Sequence, residues 1–353
     1  SVEDVAAAIR DGLAAPVAQP GWSVREAVDS EGVARGYHLY VPAAVAEDTG
    51  RVPLLLDLHG GVSRPEFVDD ATFARFRGMW QPLADAGGFV LAAPKGRGDC
   101  TWWSDAGVRH VRAVVRDAKR HAPVDDDRVL ATGFSDGGSG CFYLAMAAPD
   151  PFAGLLPLNG HPMVALGASG RQLYLRNAVT MRRFGAMTQD ERQYPAETVI
   201  PHVLELIRNG AACHLVSYPR GGHTPVYLEE QSAALRAFVD TARRTPQPES
   251  IEWAAAHLEI ARSHWVEITA LGAAAGDLPP GDVPDAQVIT SPGRVLIGIG
   301  VDQEFAGPGV RVTSVDARRP AGPLGLAVGD VVVAVDGVEI GGLRDLRGVL
   351  DAK

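Results

Sequence analysis

The sequence predicts an α/β fold, a doubly wound, mainly parallel sheet followed by a small β-rich module. Three observations predict it. Apolar runs of strand length alternate with segments of helical period as far as residue 243. A Gly-Phe-Ser-Asp-Gly motif at 133–137 stands between such a run and a helix-compatible segment. After Arg244 the composition shifts, through Pro246, Pro248 and the Pro-rich stretch 278–284, to short β-like runs. The expected organisation is a large domain over 1–245, a connecting segment over 246–286 and the β-rich module over 287–353.

Each element has its own signal. Residues 1–20 hold a short helical pattern (Val2, Val5, Ala6, Ile9) closed by Pro16 and Pro20. Residues 23–29 and 34–41 read as a hairpin about Ser30-Glu31-Gly32, with Tyr37, Leu39 and Val41 on one face. Residues 52–58 and 89–93 are nearly unbroken apolar runs, as strands buried on both faces require. The first ends in His59-Gly60-Gly61, the second in Pro94-Lys95-Gly96. Helices are expected over 73–86 and over 106–122, where Val108, Val111, Val114 and Val115 share a face. Further strands fall at 129–133, 155–159, 181–187 and 215–218, and helices at 143–148, 196–209 and 228–243. In the module, β-like runs lie at 295–301, 310–315 and 331–335, with the hairpin-type Asp336-Gly337 before Val338-Glu339-Ile340.

Composition bounds the function. The 353 residues are 46% hydrophobic and 22% charged, enough for one large core and a small one. A net charge of −10 argues against nucleic-acid binding through a broad basic surface. No run of 18 apolar residues occurs, so no transmembrane helix is expected. Cys100, Cys141 and Cys213 are odd in number and lack metal spacing, and the ten histidines form no zinc set. Lysine occurs only at 95, 119 and 353, a bias that, with abundant Ala, Gly and Pro, fits a GC-rich bacterial genome. The chain begins at Ser1 rather than Met, which leaves room for a removed leader. An exported, periplasmic or secreted, location is the expectation.

The motif carries the chemistry. A serine on a sharp strand-to-helix turn needs neighbours without side chains, so that the backbone closes and Oγ projects. Gly133 and Gly137 flank Ser135 in that way. A serine nucleophile also needs a base, an acid that orients the base, and donors for the oxyanion. His59, His161 and His223 each follow a strand, but only His223, in Gly221-Gly222-His223, lies after the last strand of the large domain. The acid should follow 181–187, where Asp190 and Glu191 are both candidates. Asp190 is the commoner residue type for the role, and Glu191 has the more usual spacing to Pro195. The N–H groups of Gly61 and of Asp136, next after the serine, are the candidate oxyanion donors. His59 is expected to pack beneath its loop. Trp102 and Trp103 are candidate walls of a substrate pocket.

Residues 35–243 resemble the phospholipase/carboxylesterase, dienelactone-hydrolase-like branch of the α/β-hydrolases. The matching pieces are Leu58-His59-Gly60-Gly61, the run from Asp125 to Gly138 around Ser135, Tyr194-Pro195-Ala196, and the run from Tyr218 to Thr224. The resemblance implies hydrolysis of a small-molecule carboxylic ester through an acyl-enzyme, without metal or cofactor. A departure in the acid loop, where Met187 or Thr188 replaces the usual glycine, leaves Asp190 and Glu191 both open.

Residues 288–353 resemble a bacterial PDZ domain. Ile297-Gly298-Ile299-Gly300, Gly309-Val310, Gly325-Leu326 and Gly329-Asp330-Val331 through Gly337 carry the likeness. It implies a C-terminal peptide or protein partner, added as a strand, with its carboxylate on the N–H groups of Ile297, Gly298, Ile299 and Gly300. The sequence stops at Lys353, after the helix-like run 343–350 and short of the final strand expected of the family, which 265–268 is a candidate to supply. A serine esterase with a PDZ-like module is therefore the expectation. The alternatives are a serine peptidase on the same fold and a non-catalytic binding scaffold.

Overall fold

The structure is a computed structural model. It describes residues 19–47, 50–62, 73–74, 78–246, 248–249, 251–271, 299–302, 305–315, 326–335 and 337–351. The helical pattern at residues 2–9 lies outside these, as do Ile297 and Gly298. The chain divides into two compact units, Ser1–Gly272 and Ala273–Lys353.

The first unit is built on one eight-stranded sheet. Its elements run β1 (Gly21–Val28), β2 (Ala34–Val41), α1 (Ala43–Glu47), β3 (Val52–Leu58), α2 (Gln81–Gly87), β4 (Val90–Pro94), α3 (Asp105–His121) and β5 (Val124–Phe134). There follow α4 (Asp136–Ala147), β6 (Gly154–Leu158), α5 (Val164–Ser169), β7 (Arg183–Thr188), α6 (Ala196–Arg208), β8 (Cys213–Tyr218) and α7 (Leu228–Thr241). The strand order is β1-β2-β4-β3-β5-β6-β7-β8. The β1–β2 hairpin is antiparallel and joins β4 antiparallel, whereas β4, β3, β5, β6, β7 and β8 pair in parallel.

Alternation along β3 explains the layering. Leu54, Leu56 and Leu58 enter one buried cluster with Val111 and Val114 of α3 and Tyr143 and Leu144 of α4. Leu55 enters a second cluster with Leu83 of α2 and Leu235 and Val239 of α7. Successive side chains point to opposite faces, so the unbroken apolar run needs a layer of helices on each side. Tyr37, Leu39 and Val41 share the first cluster and Tyr40 lies in the second, as the hairpin pattern predicts. The Ser104 hydroxyl caps α3 by accepting from the Gly107 N–H at 3.1 Å, and Lys119, Arg120 and His121 close its last turn. The helix α4 is buried along its whole length, behind the centre of the sheet.

Past α7 the chain packs back onto this unit. The Asn177 amide exchanges hydrogen bonds with the backbone of Ala254, at 2.7 and 2.9 Å, and Ile260 is buried in the first cluster. A two-stranded hairpin closes the segment, β9 (Arg262–Ser263) with β10 (Val266–Glu267). The stretch 265–268, considered above as a strand for the β-rich module, thus pairs with β9 within the first unit.

The second unit has β11 (Ile299–Val301), β12 (Val310–Val315) and β13 (Val331–Val332) in one antiparallel sheet. A hairpin of β14 (Ala334–Val335) and β15 (Val338–Glu339) and the helix α8 (Leu343–Asp351) complete it. Val310, Ile340 and Leu346 are its buried apolar cluster among the described residues.

Candidate active site

The turn between β5 and α4 puts Ser135 at φ 60°, ψ −122°, a conformation side chains rarely adopt. The Ser135 N–H donates to Leu158 O on the neighbouring strand at 3.0 Å, which holds the turn against the sheet. Only glycine fits at 137, because a Cβ there would lie 1.6 Å from the Leu58 carbonyl oxygen. The loop after β3 comes equally close. A Cβ on Gly60 would stand 3.1 Å from both Ser135 Cβ and Phe134 O. Gly61, the next residue, has a left-handed φ of 71°, and Asp136 opens α4 with 7% exposure.

His223 reaches this serine from the loop between β8 and α7, where Gly221 and Gly222 both have positive φ. Its Nε2 is 2.8 Å from Ser135 Oγ, and its Nδ1 is 2.5 Å from Glu191 Oε2. The structure therefore sets Glu191, not Asp190, against the imidazole. Asp190 is solvent-exposed, and its carboxylate accepts from the N–H groups of Gly222 at 2.7 Å and Gly221 at 3.2 Å. These backbone donors, Gly222 foremost, hold its carboxyl below the usual range. Neighbours in sequence at the end of a turn, the two acids point apart. One fastens the histidine loop from outside and the other faces the ring from within.

Glu191 is 3% exposed. Burial works to raise its pKa, but hydrogen bonds from Asn159, His223 and the Gln193 N–H outweigh it, and the group stays below the ordinary value. Asn159, immediately after β6, donates from Nδ2 to Glu191 Oε2 at 2.9 Å. Its Oδ1 accepts from the buried Tyr227 hydroxyl at 2.5 Å. Tyr194, from the acid loop, donates to Asp136 Oδ1 at 2.7 Å and sets its ring 6.0 Å from that of His223. Phe134 flanks the same imidazole at 4.8 Å. Sequence reasoning missed Asn159, Tyr194 and Tyr227 as members of this cluster. A polar residue at the end of the apolar run 155–159 is the one signal available for Asn159.

The other two strand-following histidines do different work. His59 is 2% exposed, accepts at Nε2 from the Gly96 N–H at 3.0 Å, and so donates from Nδ1 to Gly60 O at 2.8 Å. Burial pushes its pKa down, and a neutral ring bonded at both nitrogens serves as a brace for the loop. His161 accepts at Nδ1 from the Met163 N–H, and burial pushes it down to about 4. The pocket expected at Trp102 and Trp103 is corrected. Trp102 has no exposed surface, donates from Nε1 to His59 O at 2.9 Å and stacks edge-on against the His59 ring, and Trp103 is 5% exposed. An aromatic run after a strand reads alike for a pocket wall and for a buried brace, and here it is the brace. Among the described residues, no group of three or more His, Cys, Asp and Glu side chains is arranged to hold a metal ion.

In the second unit, Ile299 pairs with Val315, and the Gly300 N–H donates to Ser314 Oγ at 3.1 Å. The Gly300 donor assigned above to a peptide carboxylate is thus already engaged.

The esterase 2 of Thermogutta terrifontis superposes with a TM-score of 0.51 at 16% identity, over 63% of this chain and 95% of that one. The first unit has the α/β-hydrolase fold. Residues 295–353 match the family PDZ_2, a PDZ domain. Two curated proteins align with part of the chain. A bifunctional acetylxylan esterase/xylanase of Neocallimastix patriciarum is 31% identical over 145 residues, 40% of this chain and 20% of that protein. NocK of Nocardia uniformis subsp. tsuyamanensis, which carries the name of an esterase, is 37% identical over 158 residues, 41% of this chain and 43% of its own. The chain thus spans less than half the length of these curated relatives. No helix among the described residues is long and apolar enough to cross a membrane.

Proposed function

We propose that the α/β-hydrolase unit is a serine esterase that hydrolyses carboxylic esters through an acyl-enzyme on Ser135. The observation that carries this reading is the unbroken line of contacts from Ser135 Oγ through the His223 ring to Glu191. Ser135 Oγ attacks the ester carbonyl while His223 Nε2 takes its proton. The N–H groups of Gly61 and Asp136 receive the charge that develops on the carbonyl oxygen, each worth roughly 3–4 kcal/mol in the transition state. The intermediate collapses, the C–O bond to the alcohol breaks, and His223 returns the proton to the leaving alkoxide. Water then enters, gives its proton to His223 and attacks the acyl carbon. The second intermediate collapses, the bond from the acyl carbon to Ser135 Oγ breaks, and His223 returns its proton to Oγ, which releases the acid and restores Ser135. Glu191 keeps the imidazole in the Nδ1–H tautomer and stabilises the imidazolium.

The substrate is a carboxylic ester, a reading supported by the esterase names of the aligned relatives. The PDZ domain is a site for a peptide C-terminus, added as a strand beside β11. The decisive experiment is hydrolysis of p-nitrophenyl acetate by the protein and by Ser135→Ala, alongside labelling with a fluorophosphonate. Turnover and labelling confined to the parent protein are expected. Hydrolysis that survives in Ser135→Ala would sink the proposal.

A further inference from the structure

The hydrogen bonds behind Glu191 form a directed chain, and its direction is fixed by chemistry. The Asn159 amide nitrogen faces Glu191 Oε2 at 2.9 Å, Thr188 Oγ1 at 3.1 Å and Gly222 O at 3.4 Å. A carboxylate and a backbone carbonyl only accept, so NH2 and not the amide oxygen must face them. The Tyr227 hydroxyl, 2.5 Å from the other end of the amide, then has to donate. It remains a phenol, since burial, and secondarily the charge of Glu191, pushes its pKa far up. Asn159 is 1% exposed and Tyr227 is 1% exposed, so no solvent competes. The backbone is adapted as well. Asn159 has φ 42°, a left-handed conformation that Asn and Asp tolerate better than most side chains.

We infer that Asn159, its amide oxygen bonded by Tyr227, is a positioning residue that holds Glu191 ionised and tempers the charge it presents to His223. The inference rests on the esterase reading above and deepens it. The amide places the positive end of an N–H dipole on Oε2, the same oxygen that binds His223 Nδ1. Without that donor, Oε2 carries more unshared charge, holds the imidazolium more tightly and makes His223 harder to deprotonate. The base then becomes available only at higher pH. Thr188 Oγ1 donates to Gly222 O, at 2.5 Å, so the same knot also ties the histidine loop to β7.

Two variants test this on the full chain with p-nitrophenyl acetate. Asn159→Asp keeps the volume and suits the left-handed backbone, but it sets a second carboxylate against Glu191. Its acid limb of kcat/KM should move up by about one pH unit or more. Near neutral pH its kcat should fall with KM changed less than about twofold. Tyr227→Phe keeps the packing but leaves the amide oxygen without its donor, which weakens the polarisation of the N–H facing Glu191, and its limb should move the same way by less. A residue that only packs would lower the melting temperature and leave the limb in place. Acid limbs that superimpose on the parent in both variants overturn the inference, whatever happens to melting. If Asn159→Asp does not fold, the limb of Tyr227→Phe alone decides. Ser135→Ala separates the two levels. With its turnover lost and both limbs unmoved, only the inference fails, whereas turnover that survives in Ser135→Ala removes the esterase reading beneath it.

Discussion

At Asp190 and Glu191, one residue of offset separates two functions. Glu191 touches the imidazole and is buried, and Asp190 touches only backbone N–H groups at the surface. Glu191→Gln keeps the shape but offers Nδ1 no charge, so kcat is expected to fall by about a thousandfold or more. Asp190→Asn loosens an exposed fastening, and its kcat should fall by about tenfold or less. Equal losses in the two variants, measured on one ester at one pH, would count against this division. The order of Ser135, an acid and His223 was legible because it rests on local signals: glycines beside a serine, glycines before a histidine, each after an apolar run. The choice of acid was not legible. Two adjacent carboxylates leave the same turn, and which one points inward depends on the path of the backbone. Asn159 and Tyr227 were hidden for another reason. Their partners lie 32 and 68 residues away in the chain.

Among elements, β3 has the most demanding surroundings. Alternation gave its leucines correctly to two layers, but it also buries Asp57, which is 4% exposed. Burial pushes this carboxyl up to about 7, while the Trp80 indole beside it works the other way. The folded value exceeds the unfolded value of about 3.9. The fold therefore prefers protonated Asp57. The associated stability is present in full below about pH 4 and is lost as pH rises through about 7. The three-unit difference corresponds to roughly 4 kcal/mol at high pH. Asp57→Asn removes this titration. Its melting temperature should gain on the parent steadily between about pH 5 and 8. Parallel melting curves for the two proteins across that range would refute the assignment. An apolar run reads clearly as a strand, but one acid inside it gives no sign of its ionisation until the neighbouring layer is known.

For the whole molecule, the contacts of the candidate site named above come from described residues between Leu58 and Tyr227, within the first unit. A chain ending at Gly272 is expected to hydrolyse p-nitrophenyl acetate with kcat/KM within about twofold of the full protein. It should lose binding to a peptide with an apolar residue and a free carboxylate at its C-terminus, measured by fluorescence polarisation. Peptide binding retained by the shortened chain would take that function away from the PDZ domain. The alternation of strands and helices up to 243 made the first unit readable from sequence. The second unit is harder to read because its strands are short and its buried cluster small, with Val310, Ile340 and Leu346 at its centre among the described residues.

The backbone at Ser135 has a consequence for how such a chain evolves. A side chain held at φ 60° costs of order 1–3 kcal/mol, and the surrounding sheet and helix must supply it. Glycine would accept the same angles without strain and would be chemically inert. At this one position, therefore, durability and reactivity pull toward different amino acids. Drift unchecked by demand for turnover would favour a sturdier protein that had lost its trade.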